Sequence, residues 1–470
     1  MDKKKELAKN TVIIFLGKVC TQLISFFLLP LYTGYLSTKQ YGIVDLIQTY
    51  VRLLVPLLTI ELEMGVFRFL IDTRGKEKDT KKVMSNNFTI LFGSLLIFTI
   101  VYLVITSFWK IDYRFLILFD VFLCTITGNL LQVARGLGKT LDYSIACIIT
   151  GVMTVVLNIL LIVFGGLRVS GMVISMAVAN GLGALYLFIK LKMYKYFNKK
   201  LINIELIKSM VKYSAPLVPN SLSWWVVSVS DRSIISVVLG AASNGIYAVS
   251  NKFPTLLSSV FSIFNMSWCE SATLHINSSD RDEFFSDICN TIVKLFSSLG
   301  LGLIACMPFL FPILINSKYD EAFIYIPILA IGVVFNVGVS LYSSIYIAKK
   351  MTKEVASTSV MGAVINIVVN VCLIKFIGLY AAAFSTAISY FVMMIYRHFD
   401  LKKYLNIKYE KGIFIKTIVM FCFVVVLYYQ RNLVLDIINL LVVCLYAFML
   451  NKKFLFSVYK VFISKLRHNK

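Results

Sequence analysis

The sequence predicts an all-α polytopic membrane protein of about fourteen transmembrane helices, arranged as two pseudo-symmetric six-helix lobes around a central cavity with two further helices at the C-terminus. Three observations predict it. Apolar side chains make up 59% of the 470 residues and charged ones only 15%, and the mean hydropathy of +0.81 is far from that of a soluble protein. The apolar residues gather in stretches of about 20, the length a helix needs to cross a bilayer. The basic residues gather between those stretches, and in alternate loops.

The stretches cover residues 11–33, 41–66, 87–108, 113–134, 143–164, 171–191, 213–239, 246–268, 290–315, 323–347, 356–376, 379–396, 412–429 and 433–450, and all read as helices. Too little chain remains between them for a soluble catalytic domain, so the protein is not read as an enzyme. The opening MDKKKELAKNT resembles the start of a signal peptide, but the apolar run that follows is of spanning length and lacks a small-residue cleavage site, so it is expected to stay attached. A net charge of +23 would suit a nucleic-acid binder only if the Lys and Arg shared one folded face. Here the charge reports topology instead. Lys3, Lys4, Lys5, Arg74, Lys76, Lys81, Lys82, Lys199, Lys200, Lys349, Lys350, Lys402 and Lys403 fall in loops on the N-terminal side, against Lys39, Arg168, Lys318 and Arg431 on the other. Because basic residues resist translocation, both termini are expected in the cytoplasm and the number of spans is even.

The chain also repeats itself. One ungapped slide brings Lys9 onto Lys212, Leu36 onto Leu239, Gly42 onto Gly245 and Ile43 onto Ile246; a slightly longer one brings Thr140 onto Thr352, Asn158 onto Asn370 and Phe164 onto Phe376. Both slides superimpose the span boundaries, so the halves share one membrane orientation. The expected organisation is an N-lobe at 1–191, a basic cytoplasmic linker at 192–212, a C-lobe at 213–396, a cytoplasmic loop at 397–411, accessory spans at 412–450 and a basic cytoplasmic tail at 451–470.

Polar residues inside the spans carry the functional information, since even a mild scale charges about 2.5–3.5 kcal/mol for Arg, Lys or Asp at a helix centre. They concentrate in four spans. The first carries Lys18, Gln22 and Ser25 on one face; the second carries Asp45, Gln48, Thr49, Arg52 and Thr59. The seventh has Asn220, Ser223, Ser230 and Asp231 with Arg232 alongside, and the eighth has Lys252, Thr255, Ser259 and Ser262. By the repeat, spans one and two correspond to seven and eight, and Lys252 lands on Thr49, one turn from Arg52. The expectation is a water-filled, positively lined cleft between the halves, with Arg52 half way through the membrane, Lys18 nearer the cytoplasm and Lys252 nearer the outside. Bland readings compete. Lys18 and Lys252 lie near enough to the span ends to snorkel, Arg52 could pair with Asp45 or Glu61, and Arg232 beside Asp231 reads best as a locally paired structural charge. Glu61 and Glu63 read as interfacial, facing Arg68 and the basic loop. Pro30, Pro56, Pro216, Pro219 and Pro254 fall in the same four spans and mark where they could bend.

Other motifs fail. Arg135-Gly-Leu-Gly-Lys-Thr140 ends like a phosphate-binding loop, but Val133 stands where its first glycine should be. His275, His398 and His468 form no pair at ligand spacing, so no metal site is expected, and no cofactor. Of nine cysteines, Cys20, Cys124, Cys147, Cys306, Cys372, Cys422 and Cys444 lie in apolar stretches and none forms a C-x-x-C pair.

LGKVCTQLISFFLLPLYTGYLSTKQYGIVDL, from Leu16 to Leu46, resembles the opening of Wzx-type oligosaccharide flippases, and SDRSIISVVLGAASNGIYAVSNK, from Ser230 to Lys252, resembles the Asp-Arg and Gly-Ile-Tyr pattern of their second half. This is the polysaccharide transport family of the superfamily that also holds MATE drug transporters and lipid II flippases. The resemblance implies two six-helix lobes around a cavity lined by spans one, two, seven and eight. It implies translocation of a polyprenyl-diphosphate-linked oligosaccharide to the outer leaflet of a bacterial cytoplasmic membrane, for capsule, O-antigen or another surface polymer. Lys18, Arg52, Lys252 and Arg232 would then meet the diphosphate, while Gln22, Ser25, Gln48, Thr49, Asn220 and Thr255 would meet the glycan. Asp45, Asp120 and Asp231 are candidates for ion coupling. The expected partners are that lipid-linked substrate, membrane lipids and polymerases or glycosyltransferases of the same pathway, with no nucleic acid, the protein acting as a monomer. The alternatives are a lipid II or teichoic-acid flippase, a MATE-like cation-coupled drug exporter, which would want a carboxylate in span one, and a non-transporting scaffold of the polysaccharide machinery.

Overall fold

A computed structural model describes residues 24, 26–109, 111–410 and 412–468; the side chains at 220, 227, 228, 266, 453 and 457–468 lie outside that description. Among the described residues the regular structure is helical throughout. The helices are α1 (Leu29–Tyr35), α2 (Thr38–Thr59), α3 (Leu62–Asp72), α4 (Glu77–Phe108), α5 (Arg114–Gly136), α6 (Thr140–Asn158), α7 (Arg168–Lys190) and α8 (Ile204–Ser214). They continue as α9 (Val218–Val238), α10 (Ala241–His275), α11 (Arg281–Leu314), α12 (Ile326–Ala348), α13 (Thr352–Ile377), α14 (Leu379–Leu401), α15 (Ile413–Tyr429) and α16 (Leu433–His468). Ten helical stretches among the described residues are long and apolar enough to cross a membrane. Of the remaining expected spans, α9 and α10 have the length but carry the polar residues noted above, α15 has 17 residues, and the first lies mostly outside the described residues.

The chain divides into two units, one running to Ser236 together with Gly240–Gly245, the other holding Val237–Leu239 and Ile246 to the C-terminus. Helix α9, the seventh expected span, thus groups by contact with the first unit. In that unit Leu62, Val66 and Leu70 of α3 share a core with Val83, Phe88 and Leu91 of α4, Leu130 and Val133 of α5, and Leu187 of α7. The span expected at 41–66 is broken. Pro56 lies inside α2 and offers no N–H to the carbonyl four residues earlier, that of Arg52. One turn later Ile60 and Glu61 adopt positive φ of 51° and 55°, and the chain restarts as α3.

The linker at 192–212 is pinned rather than loose. Asn86 of α4 donates to the Leu201 carbonyl at 3.0 Å and accepts from the Asn203 amide at 2.8 Å, with Ser85 making a similar pair to Tyr196 and Asn198. The second unit uses the same device. Asn290 of α11 donates to the Lys408 carbonyl at 2.8 Å and accepts from the Glu410 amide at 3.0 Å, beside a Ser286–Lys408 bond of 2.9 Å. Side-chain amides that take two backbone partners at once suit segments leaving the membrane, where strand or helix pairing is not on offer.

In the second unit α14 packs on α12 and α13, and it runs past the expected end at 396. Arg397, read from the sequence as the first residue of a loop, is fully buried. Its guanidinium donates to Thr358 Oγ1 at 2.9 and 2.7 Å, to the carbonyls of Val339 (2.9 Å) and Val355 (3.3 Å), to Ser359 Oγ at 3.3 Å and to Ser343. The fork thus fastens three helices with neutral acceptors alone. The accessory pair docks on the same unit. Tyr428 stacks on Phe323 with centroids 4.2 Å apart, Arg431 meets Asp320 at 2.7 Å, and Asn451 of α16 reaches Ser298 of α11 at 2.9 Å.

The first slide placed Gly42 on Gly245, and in the folded first unit these two glycines touch. A Cβ at Gly42 would overlap the Ala241 carbonyl and crowd Gly245, while one at Gly245 would overlap the Thr38 carbonyl. Asn244 seals the crossing by donating to the Gly42 carbonyl at 2.9 Å. Because backbone blocks each Cβ, Gly42→Ala and Gly245→Ala should each destabilise by about 1–3 kcal/mol, visible as a lower melting temperature of the purified protein; an unchanged melting point would refute the contact. Arg397 gives a less obvious expectation. Its hydroxyl partners Thr358, Ser359 and Ser343 also donate to their own helices, so an apolar replacement strands little, whereas a lysine keeps the charge and loses the fork. Arg397→Lys should therefore cost about 2 kcal/mol or more and Arg397→Met less, and the reverse order in a thermal melt would count against this account.

Candidate functional site

The polar stripe of α2 meets a different partner at each turn. Asp45, nearest the N-terminal end, holds Arg232 of α9 in an ion pair of 2.8 Å, and Asn244 stands 3.5 Å from the same carboxylate oxygen. Gln48, three residues on, donates to the buried carboxylate of Asp120 on α5 at 2.6 Å. The carbonyl of Thr49 accepts from the indole of Trp225 at 2.9 Å, and the Thr49 side chain is buried. Further along, Glu61 at the helix break accepts from the Ser221 hydroxyl. Successive turns of one helix therefore knit α5 and α9 to α2, and they do so with groups that lipid would not solvate.

Arg52 is the exception. It is exposed, and among the described residues it makes no ion pair and no hydrogen bond. Its electrostatic neighbours are Arg232, Asp45 and Cys124. The alternative pairing of Arg52 with Asp45 is thus pre-empted, because Arg232 has taken that carboxylate. Arg232 also receives Asp231, whose carboxylate lies 3.8 Å from the guanidinium and accepts from the Arg232 amide at 2.8 Å. Asp231 is buried. A guanidinium held by two carboxylates is neutralised in place, whereas one left open can bind an anion through two parallel N–H donors.

The remaining sequence-selected residues fall as follows. Lys18, Gln22 and Ser25 lie outside the described residues, as does the side chain of Asn220. Lys252, half-buried on α10, belongs to the second unit. Thr255, one turn on, is exposed but bonds back to the carbonyls of Asn251 (2.9 Å) and Lys252 (2.7 Å), and Ser259 and Ser262 do likewise. These hydroxyls keep their own backbone partners and still present an acceptor face. Of the three ion-coupling candidates, Asp45 and Asp231 serve Arg232, and Asp120 faces a neutral amide.

Two features escaped the sequence. Glu63, read as interfacial, packs against Gly128 of α5, and its Oε1 is buried without a hydrogen-bond partner. Arg68, its supposed counter-charge, instead pairs with Asp72 one turn along its own helix. The break at Ile60–Glu61 starts a new helix, and Glu63 lies in the first turn of α3, against α5. Trp225 also went unnoticed, since a tryptophan in a span reads as apolar until its N–H is seen to bond across helices. Among the described residues no group of His, Cys, Asp and Glu could hold a metal ion.

The sequence matches the family described as polysaccharide biosynthesis protein over residues 7–269. An uncharacterised membrane protein of Methanocaldococcus jannaschii is 22% identical over 425 residues, covering 85% of this chain and 99% of that protein. Among solved structures, the lipid II flippase MurJ in an inward closed conformation superimposes with a TM-score of 0.72 at 14% identity, over 96% of this chain and all of that one. An inward-facing multidrug resistance MATE transporter of the MOP superfamily gives 0.68 at 12% identity, over 81% of this chain and 95% of that one. At such identities the likeness speaks for the fold alone, the multi-helix architecture that these structures share with the apolar helices described above. With more than half its length matched to one family, the chain belongs to the polysaccharide biosynthesis proteins.

Proposed function

We propose that this protein is a flippase for polyprenyl-diphosphate-linked oligosaccharide repeat units, moving them from the inner to the outer leaflet of a bacterial cytoplasmic membrane by alternating access. The observation that carries this reading is Arg52, an open guanidinium in the middle of a membrane helix whose nearest carboxylate is already engaged. A cation kept unpaired there costs several kcal/mol and suits an anionic cargo that supplies the missing charge. The diphosphate would take Arg52 first, with Lys18 and Lys252 as further cations. Arg232 would act by holding Asp45 away from Arg52 rather than by contact. Gln22, Ser25, Gln48, Asn220 and Thr255 would offer amides and hydroxyls to the sugars, whereas Thr49, whose side chain is buried, drops out of that set. Of Asp45, Asp120 and Asp231, Asp120 is the best candidate for ion coupling because no cation neutralises it.

No nucleotide is required. Two negative charges carried outward against an inside-negative potential of 100 mV gain roughly 5 kcal/mol if the protein moves no compensating charge. The buried carboxylate of Asp120 and the half-buried Glu63, whose Oε1 has no hydrogen-bond partner, favour a second reading, a cation-coupled exporter of lipophilic cations, and the same assay separates the two.

The assay follows a labelled polyprenyl-diphosphate oligosaccharide between the leaflets of liposomes holding the purified protein. Arg52→Gln should slow exchange roughly 10- to 100-fold, the worth of about 1.5–3 kcal/mol for charged hydrogen bonds, with Arg52→Lys in between. Arg232→Gln, which releases Asp45 toward Arg52, should slow exchange as well, and adding Asp45→Asn should restore part of that loss but not all of it, since Asp231 then stays unpaired. Wild-type exchange that survives Arg52→Gln removes Arg52 from the site, and uptake of a lipophilic cation without any lipid exchange establishes the exporter. Asp120→Asn tests coupling: with the potential clamped, it should abolish the response to a proton or sodium gradient and leave downhill exchange intact. A response that persists would exclude Asp120.

A further inference from the structure

The failed phosphate-binding motif at 135–140 is part of a cavity. In the first unit a hollow of about 540 Å³ opens between the start of α4, the start of α6 and the end of α7. It lies among the basic loops, hence on the cytoplasmic side by the positive-inside rule. Arg74, Lys76, Lys139, Lys190 and Lys192 line it. Arg74 donates only to neutral groups, the carbonyls of Gly136 (2.6 Å) and Arg135 (2.7 Å), so its charge stays uncompensated. Gly138 beside that guanidinium takes the left-handed φ of +76° that the turn into α6 requires and glycine favours. Among the described residues the four lysines form no ion pair. Of the two carboxylates on the wall, Glu77 pairs with Lys81 at 2.8 Å, while Asp142 accepts from the neutral Tyr186 hydroxyl at 3.1 Å and keeps its charge, so that one carboxylate stands against five cations.

The helix geometry adds to the field. Lys76 and Lys139 are the N-cap residues of α4 and α6, and neither helix start has a side-chain cap. A lysine at the positive end of a helix is unfavourable on its own, and here two such ends face the same hollow. The positive-inside bias calls for basic residues somewhere in these loops, but it does not call for five of them around one cavity, at the cost of mutual repulsion.

We infer that this cavity is a binding site for a phosphate-bearing group, supplied either by the headgroup of an anionic phospholipid of the cytoplasmic leaflet or by a soluble phosphate ester. The inference is independent of what the protein transports. Full-length protein, reconstituted in phosphatidylcholine with phosphatidylglycerol and then returned to detergent, should retain phosphatidylglycerol selectively by native mass spectrometry. Lys139→Gln/Lys192→Gln should reduce that selectivity roughly tenfold or more, given about 1 kcal/mol per basic residue near anionic lipid. Lys139→Arg/Lys192→Arg should preserve it, which guards against misfolding. Lys199→Gln/Lys200→Gln removes the same charge outside the cavity and should also preserve it. If instead pyrophosphate raises the melting temperature of wild type but not of Lys139→Gln/Lys192→Gln, and lipid retention is unselective, the phosphate comes from solution. Equal losses in the two glutamine pairs, or no difference between wild type and Lys139→Gln/Lys192→Gln with either probe, would overturn the inference and leave only diffuse loop charge.

Discussion

Lipid solvates neither a peptide group nor a charge, so a chain that crosses it many times must supply its own hydrogen-bond and charge partners. Helices answer the first demand along their own axes. The second can be answered only across helices, and here it is answered one pair at a time: Asp45 with Arg232, Gln48 with Asp120, and Asn87 with Asn129 through reciprocal amide bonds of 2.8 and 3.1 Å. Each pair fixes a helix contact that apolar side chains alone would leave free to slide, since lipid tails are as apolar as leucine. What is left over after this pairing then acquires meaning. Arg52 stands out because the carboxylate within its reach is spoken for.

How far the sequence could reveal this depends on range. The helices among the described residues and the basic loops were legible because hydropathy and charge act over twenty-residue windows. The polar faces of α2, α9 and α10 were legible from helical spacing. The partner of Arg232 was not. Asp231 is adjacent and drew attention, whereas Asp45 lies in another helix and no local pattern points to it. Glu63 was misjudged for a different reason. A carboxylate near a span end reads as facing water, and no local pattern shows that the chain breaks after Pro56 and restarts with Glu63 against Gly128 of α5. Arg397 was misjudged because a charge near a span end usually marks the water boundary. Here neutral acceptors on two neighbouring helices let the helix continue past it.

The internal repeat, faint as a set of identities, is clearer as shared devices. Asn86 and Asn290 each clamp an emerging segment through the same two backbone bonds. Tyr186 and Arg397, one residue out of register under the longer slide, each bind the helix before their own, through Asp142 in one unit and through Thr358, a turn beyond the matching position, in the other. The helix contacts persist while the residues that make them shift and change chemistry, which is why residue identity is a weak detector of the repeat and geometry a better one.

The Asp45–Arg232 pair also sets a timetable for synthesis. A ribosome adding roughly 5–20 residues per second needs on the order of ten seconds or more to pass from one to the other. During that interval the carboxylate of Asp45 has left the ribosome and its guanidinium does not yet exist. Until α9 arrives, Asp45 must wait protonated, hydrated or shielded by the insertion machinery. Arg397 has no such wait, since Val339, Ser343, Thr358 and Ser359 all precede it in the chain and its acceptors are already made. The first unit is therefore the one whose biogenesis should lean on a chaperone or on the translocation channel itself, while the last helices of the second unit can insert into a site already prepared for them.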